Sequence, residues 1–317
     1  MRPRASKIII FYLEVMLNRM KINTIAEEFY TYSNFIKGYS KNTIIRYKMF
    51  IKYYQKVTGI DEISDITKNN VKEFLMQGRI KKNWKASSFI TAHKSLFVFF
   101  QWCVKNNYLE NNVLEDIELP KLNKSIPPKL TQQEAMKLLE VTYNLPYKYQ
   151  YLRYRNHALL ATFIFTGLRK AEVLNLKYTD VDLENRTVFV NHGKGGKDRI
   201  IPINFTLIEI LGRYLKERKR LKKTCPEFFT SLNRNQGFTS SGLKRALTRI
   251  KKESGINFGT HKLRHTFATL MLEGGCDIYS LSKMMGHSDI KTTTIYLSAS
   301  AEHLRQEMTK HPLNNIM

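Results

Sequence analysis

The nine residues Pro-Lys-Leu-Asn-Lys-Ser-Ile-Pro-Pro, from Pro120 to Pro128, constrain the fold of this chain more than any other stretch. They carry three prolines and no amphipathic period. Proline fixes φ, lacks a backbone N–H and drives the preceding residue toward an extended conformation, so no helix can run through such a segment. The 317 residues on either side exceed the roughly 100–200 that one hydrophobic core usually serves. Two domains are expected: an N-terminal extension over 1–20, a helical domain over 21–115, a linker over 116–130, and a second domain over 131–317 with a polar tail at 298–317.

Apolar spacing makes both halves mainly helical. Ser40 and Thr43 stand before Ile44, Tyr47, Phe50, Ile51 and Tyr54, which recur at three- and four-residue intervals. Thr67 opens a stretch with Val71, Phe74 and Leu75, and Ser87 or Ser88 begins another with Ile90, Leu96, Phe97, Phe100 and Trp102. Past the linker, Thr131 and Glu134 form a capping-box signature ahead of Met136, Leu138 and Leu139. The exception is β: two β-branched runs, 187–190 and 200–203, flank residues 192–199, where Gly193, Gly195 and Gly196 let a hairpin turn. The fold class expected is mainly α, with a small β-hairpin or sheet in the second domain.

Charge then limits the partner. The chain has 52 Lys and Arg against 27 Asp and Glu, a net charge of +25, which calls for a polyanion. Arg2, Arg4 and Lys7 before the apolar run 8–13 superficially resemble a signal peptide, but Glu14, Asn18 and Arg19 interrupt it. No segment reaches the roughly 20 apolar residues of a membrane span. Cys103, Cys225 and Cys276 suggest neither a disulfide framework nor a zinc site. Nucleic acid rather than membrane is therefore the expected partner, in a reducing cytoplasm. Candidate phosphate contacts are Lys41, Arg46 and Lys48 in one run, Lys81 and Lys82 in a second, and Lys197 and Arg199 at the hairpin.

Two apparent motifs fail on inspection. Gly193-Lys-Gly-Gly-Lys-Asp198 lacks the Ser or Thr that a nucleotide phosphate loop needs after its lysine. His261-Lys-Leu-Arg264-His265 spaces two histidines like zinc ligands, yet Lys262 stands where a metalloprotease requires Glu, and no third ligand lies at suitable spacing. His261 and Arg264, three apart, can instead point the same way as a cationic pair. Thr166-Gly-Leu-Arg169, and Gly286-His287 followed nine positions later by Tyr296, complete the set.

In this order the residues resemble the tyrosine recombinase, or phage-type integrase, family, whose signature is Arg, Lys, His-x-x-Arg, His and Tyr. Arg169, Lys194, His261, Arg264, His287 and Tyr296 fill those places, and Leu281-Ser-Lys-Met-Met-Gly-His287 resembles a further box. The likeness extends from Ile22 onward and is greatest to short, Xer-like members. It implies a helical, SAM-like core-binding domain and a catalytic domain that form a C-shaped clamp on DNA. It also implies that Tyr296 attacks a phosphodiester to leave a 3′-phosphotyrosyl link and a free 5′-hydroxyl, with no metal, cofactor or ATP.

Under that resemblance, Arg169 and Arg264 would neutralise the non-bridging oxygens, and His287 would hydrogen-bond them. His261 would help take the tyrosine proton, Lys194 would protonate the leaving oxygen, and Glu172 would orient Arg169. The partners implied are double-stranded DNA at a specific recombination site and a tetramer on two duplexes, of this chain alone or with a paralogue. A type IB topoisomerase or telomere resolvase could use the same residues, and a non-cleaving DNA-binding regulator is the alternative of a different class.

Overall fold

In the computed structural model, residues 21–122, 127–191, 198–287 and 289–297 are described, and the chain divides into two compact units between Lys124 and Ser125. The extension 1–20, the tail 298–317, Lys194 and Lys197 lie outside the described residues.

The first unit is a bundle of α1 (Ile22–Phe35), α2 (Lys41–Thr58), α3 (Lys68–Ile80) and α4 (Ala86–Lys105). Helix α2 packs on the other three, and its stripe of Tyr47, Phe50, Ile51 and Tyr54 is buried, as the spacing predicts. Ser40 caps α2 by accepting from the Thr43 amide at 3.3 Å. Thr67 and Asn70 close a reciprocal capping box on α3, and the Tyr54 hydroxyl donates to Asn70 Oδ1 at 2.8 Å. Tyr54 is thus tied to a helix cap as well as to the core. Helix α4 starts at Ala86, ahead of the serines the sequence suggests, with Lys85 as a cap that makes no side-chain bond.

Apolar spacing reads less well in the second unit. It comprises α5 (Gln132–Asn144), α6 (Gln150–Thr166), α7 (Lys170–Asn175), a sheet, and then α8 (Phe205–Arg220), α9 (Ser240–Ser254), α10 (Thr260–Glu273), α11 (Ile278–Met285) and α12 (Lys291–Thr294). Helix α6 is central. It packs on α5, α8 and α10 and buries every residue from Arg155 to Ile164, so it has no polar stripe to mark its period. The sheet has three antiparallel strands in the order β1 (Val181–Asp182), β2 (Thr187–Val190) and β3 (Arg199–Pro202). The β2–β3 register pairs Val188 with Ile201, and Val188, Val190 and Ile201 face the core. Strand β1 is an addition to the expected hairpin.

In the first unit, a Cβ added at Gly78 of α3 would lie 2.3 Å from the Trp84 ring, so the helix approaches that indole too closely for any side chain. The chain's two tryptophans, Trp84 and Trp102, both belong to this unit, and their fluorescence reports on it alone. Gly78→Ala is expected to destabilise the first unit by about 1–3 kcal/mol through overpacking. Urea unfolding followed by tryptophan emission checks this as a lowered midpoint.

Candidate active site

Helix α6 ends at Thr166 with Gly167 as a left-handed cap at φ 60°. A Cβ there would stand 2.2 Å from the Phe267 ring, so both the turn and the packing demand glycine. The turn sends Leu168 into the core and leaves Arg169 at the N-cap of α7, a place usually held by a short oxygen-bearing side chain. Glu172 compensates: its Oε2 accepts the Arg169 backbone N–H at 2.7 Å, and its Oε1 accepts Arg169 Nη1 at 2.9 Å.

The same carboxylate accepts a second arginine in fork-to-fork geometry, Arg199 Nη1 at 3.1 Å and Nη2 at 2.8 Å. Burial pushes the Glu172 carboxyl upward, but the hydrogen bonds from Arg199 and Arg169 outweigh it and hold the group down at about 2. Arg199, with an 8% exposed side chain, therefore corrects the expectation of a phosphate contact. Its guanidinium is taken up by Glu172, and its Nε donates to Met284 O at 2.8 Å.

Three consecutive carbonyls at the end of α11 each receive one arginine: Met284 O from Arg199, Met285 O from Arg264 Nη2 at 2.6 Å, and Gly286 O from Arg169 Nη2 at 3.1 Å. Helix C-termini leave such carbonyls without intrahelical partners and at negative potential, so they suit cations. Gly286 makes the convergence possible. Its φ is 64°, and a Cβ would lie 2.9 Å from Arg199 Nη1. Arg264 also donates through Nη1 to Gly167 O at 2.7 Å, which joins the α6 turn to the α11 turn. Burial and the neighbouring Arg169 lower Arg264 to about 10, and it remains a cation at pH 7.

His287 stands against this cluster, with Nε2 3.0 Å from Arg264 Nη2 and Nδ1 2.7 Å from Thr293 Oγ1. Burial, then Arg264, Arg169 and Arg199, push its pKa down to about 4, so the ring is neutral at pH 7. An arginine can only donate, hence Nε2 accepts from Arg264 and the Nδ1–H faces the threonine hydroxyl.

Tyr296 is 2% exposed and sits in a small apolar cluster with Phe267, Ala268, Leu272, Leu281 and Met285, apart from the main core of its unit. Burial raises its pKa, against the pull of Arg264 and Arg169. Its hydroxyl lies 2.8 Å from Nδ1 of His265, whose own pKa is lowered by burial, His261 and Arg264. In the Nε2–H tautomer of that neutral ring, the tyrosine donates to Nδ1. His261, expected near this hydroxyl, is exposed on the first turn of α10. His265 is the partner that sequence reasoning missed, although its place four residues after His261 was the signal.

Of the other candidate DNA contacts, Lys41, Arg46, Lys81 and Lys82 are exposed, and Lys48 is half-exposed with Nζ 3.4 Å from Glu27. Among the described residues no group of three or more His, Cys, Asp or Glu is placed to hold a metal ion. No described helix is long and apolar enough to cross a membrane.

A partly exposed arginine fork at Arg169, a buried one at Arg264, a polarised histidine and a buried tyrosine on one cationic corner define a site suited to a phosphate ester. Comparison with known proteins gives the family. Residues 128–303 match the model of the phage integrase family, and residues 25–110 match that of the phage integrase N-terminal SAM-like domain. Tyrosine recombinase XerA of Pyrococcus horikoshii is 34% identical over 291 residues, 91% of this chain and 94% of the relative. Tyrosine recombinase XerC of Bacillus licheniformis is 34% identical over 297 residues, 90% of this chain and 95% of the relative. A crystal structure of the XerH site-specific recombinase bound to difH substrate, a pre-cleavage complex, superposes with a TM-score of 0.67 at 25% identity, covering 84% of this chain and 78% of that one. The chain belongs to the phage integrase family, the tyrosine recombinases.

Glu172 is the carboxylate on which both Arg169 and Arg199 rest, with a side chain only 7% exposed. Glu172→Gln is expected to cost roughly 3 kcal/mol of folding stability at pH 7, the worth of a carboxyl held at about 2 rather than near 4.5. The folded-state pKa is depressed, so this stability is present above about pH 4.5 and is lost as pH falls toward 2. Denaturant titrations should show a large gap between wild type and variant at pH 7 that narrows by pH 3.5.

Proposed function

We propose that this chain is a site-specific DNA recombinase that cuts one strand of double-stranded DNA with Tyr296 and rejoins it to another. The tyrosine oxygen attacks the phosphorus, a 3′-phosphotyrosyl bond forms, and the bond to the 5′-oxygen breaks. Lys194 supplies the proton that makes this oxygen a 5′-hydroxyl. Attack by the 5′-hydroxyl of a partner strand reverses the step and frees the tyrosine, so the bond energy is conserved and no ATP is consumed.

The observation that carries this reading is the meeting of Arg169, Arg264 and His287 at the Gly286 corner, on the element that leads into Tyr296. Both arginines keep donors for a phosphate, because each guanidinium has five N–H groups and a planar fork. A bound phosphate takes over from His287 as acceptor for Arg264, and its negative charge favours the protonated ring, which then donates from Nε2. Charge gathers on the equatorial oxygens at the transition state, where these donors are already in place. The Tyr296 hydroxyl, 2% exposed, has to be uncovered before it reaches phosphorus, and His265 is the base nearest its proton. His261 serves the phosphate side of the same helix.

Recombination, unlike relaxation, requires two duplexes, and the assembly we propose is a tetramer in which the tail 298–317 docks on a neighbouring subunit. Its place of action is the cytoplasm, and integration, excision and resolution of dimers are all served by this chemistry.

The test is a nicked suicide substrate cut from the source DNA, followed by denaturing gels. Wild type should form a protein–DNA adduct stable to detergent and insensitive to EDTA, and Tyr296→Phe should form none while still shifting the DNA. Absence of any Tyr296-dependent adduct overturns the reading. Arg264→Lys, which keeps the charge but loses the fork, should slow adduct formation by about 10²–10³-fold. A plasmid with two sites should give recombinants that a single-site plasmid cannot.

A further inference from the structure

Arg155, in the second turn of α6, is 6% exposed, yet no carboxylate pairs with it among the described residues. Its bonds go to neutral oxygens: Nε and Nη2 donate to Asn156 Oδ1 at 3.2 and 2.9 Å, and Nη1 donates to Thr230 O at 3.3 Å. The guanidinium also lies over the Phe238 ring, 4.0 Å from its centroid. A guanidinium has five N–H donors, and burying a cation without a counter-charge is costly. Burial indeed lowers the Arg155 pKa, although the group stays charged.

This side chain opens on a cleft of about 620 Å³ between the start of α6, the 231–239 loop and α9. Arg234, Arg245 and Arg249 also line the cleft, and no Asp or Glu does. Arg245 and Arg249 lie four residues apart on one face of α9 and are exposed; Arg249 donates through Nη2 to Pro146 O at 2.8 Å and keeps further donors, and Arg245 can swing inward. Four arginines around one concavity repel one another unless an anion sits among them. The cleft is separate from the candidate active site. Arg155 precedes Gly167 by 12 residues along the same helix, about 18 Å at 1.5 Å per residue.

We propose that this cleft is a second anion site, which binds a phosphate group through Arg155 at its floor and Arg234, Arg245 and Arg249 at its mouth. The shared chemistry is a phosphate, supplied either by a DNA backbone remote from the scissile bond or by a free phosphate. The inference rests on the uncompensated Arg155 and does not depend on strand cutting by Tyr296.

Calorimetric titration of the full-length protein with inorganic phosphate, and separately with a short duplex over a range of salt, tests it. Wild type is compared with Arg234→Ala/Arg245→Ala, which alters only exposed side chains, and with Asn156→Asp. The aspartate would place a carboxylate against the Arg155 fork, so it should raise the melting temperature while weakening phosphate binding at least tenfold. The double variant should weaken it similarly without lowering the melting temperature. If the site serves a DNA backbone, both variants also bind the duplex more weakly, with the slope of log K against log salt reduced by about one. If it serves a free phosphate, duplex affinity is unchanged and only the inorganic titration responds. Phosphate bound equally by wild type and both variants, or a melting temperature lowered by Asn156→Asp, overturns the proposal.

Discussion

The carboxylate of Glu172 governs the candidate active site. It accepts four hydrogen bonds, one from the Arg169 backbone and three from the guanidinia of Arg169 and Arg199. Without it, two arginines would face each other beside a third, Arg264, in a partly buried corner. With it, Arg199 is neutralised and becomes scaffolding, and Arg169 is fixed at one end and retains donors at the other. A single buried anion thus separates an arginine that holds the site from those that can hold a ligand.

The three carbonyls at the end of α11 do the complementary work. They are backbone groups with fixed positions, so they set the spacing of the arginines more rigidly than flexible side chains could. Gly286 at φ 64° is the condition for this, since any side chain there would meet Arg199. Gly167 is its counterpart at the α6 turn, where its carbonyl receives Arg264. Two glycines far apart in sequence therefore shape one site, and each is required by close approach as much as by backbone angle.

Much of this was legible in the sequence. The first bundle is marked by apolar spacing and the caps at Ser40 and Thr67, and the order of residues along the chain singles out Arg169, Arg264 and His287, which meet at Gly286. What stayed hidden had physical causes. Helix α6 is buried on every side, which erases the polar stripe that period-finding needs. Strand β1 is two residues long and leaves no alternation to detect. Arg199 looks like any lysine or arginine in a basic hairpin, and only its 2.8 Å contact with Glu172 shows that its charge is already satisfied. His265 was visible as a zinc-like repeat of His261, but its link to Tyr296 spans 31 residues and required the fold. Arg155 carries no signal of its own in the sequence, because an unpaired buried charge is a property of surroundings.

The small cluster that holds Tyr296 has a consequence of its own. Because it is separate from the main core of its unit, the free energy needed to release the tyrosine is distinct from the free energy that keeps the domain folded. Under the function proposed above, the packing of Phe267, Leu272, Leu281 and Met285 sets how often the hydroxyl is presented. Leu272 is less tied to the arginine corner than Phe267, which packs on Gly167, or Met285, whose carbonyl holds Arg264. On that proposal, a nucleophile covered in solution and uncovered on its target needs only a local opening, not a second fold.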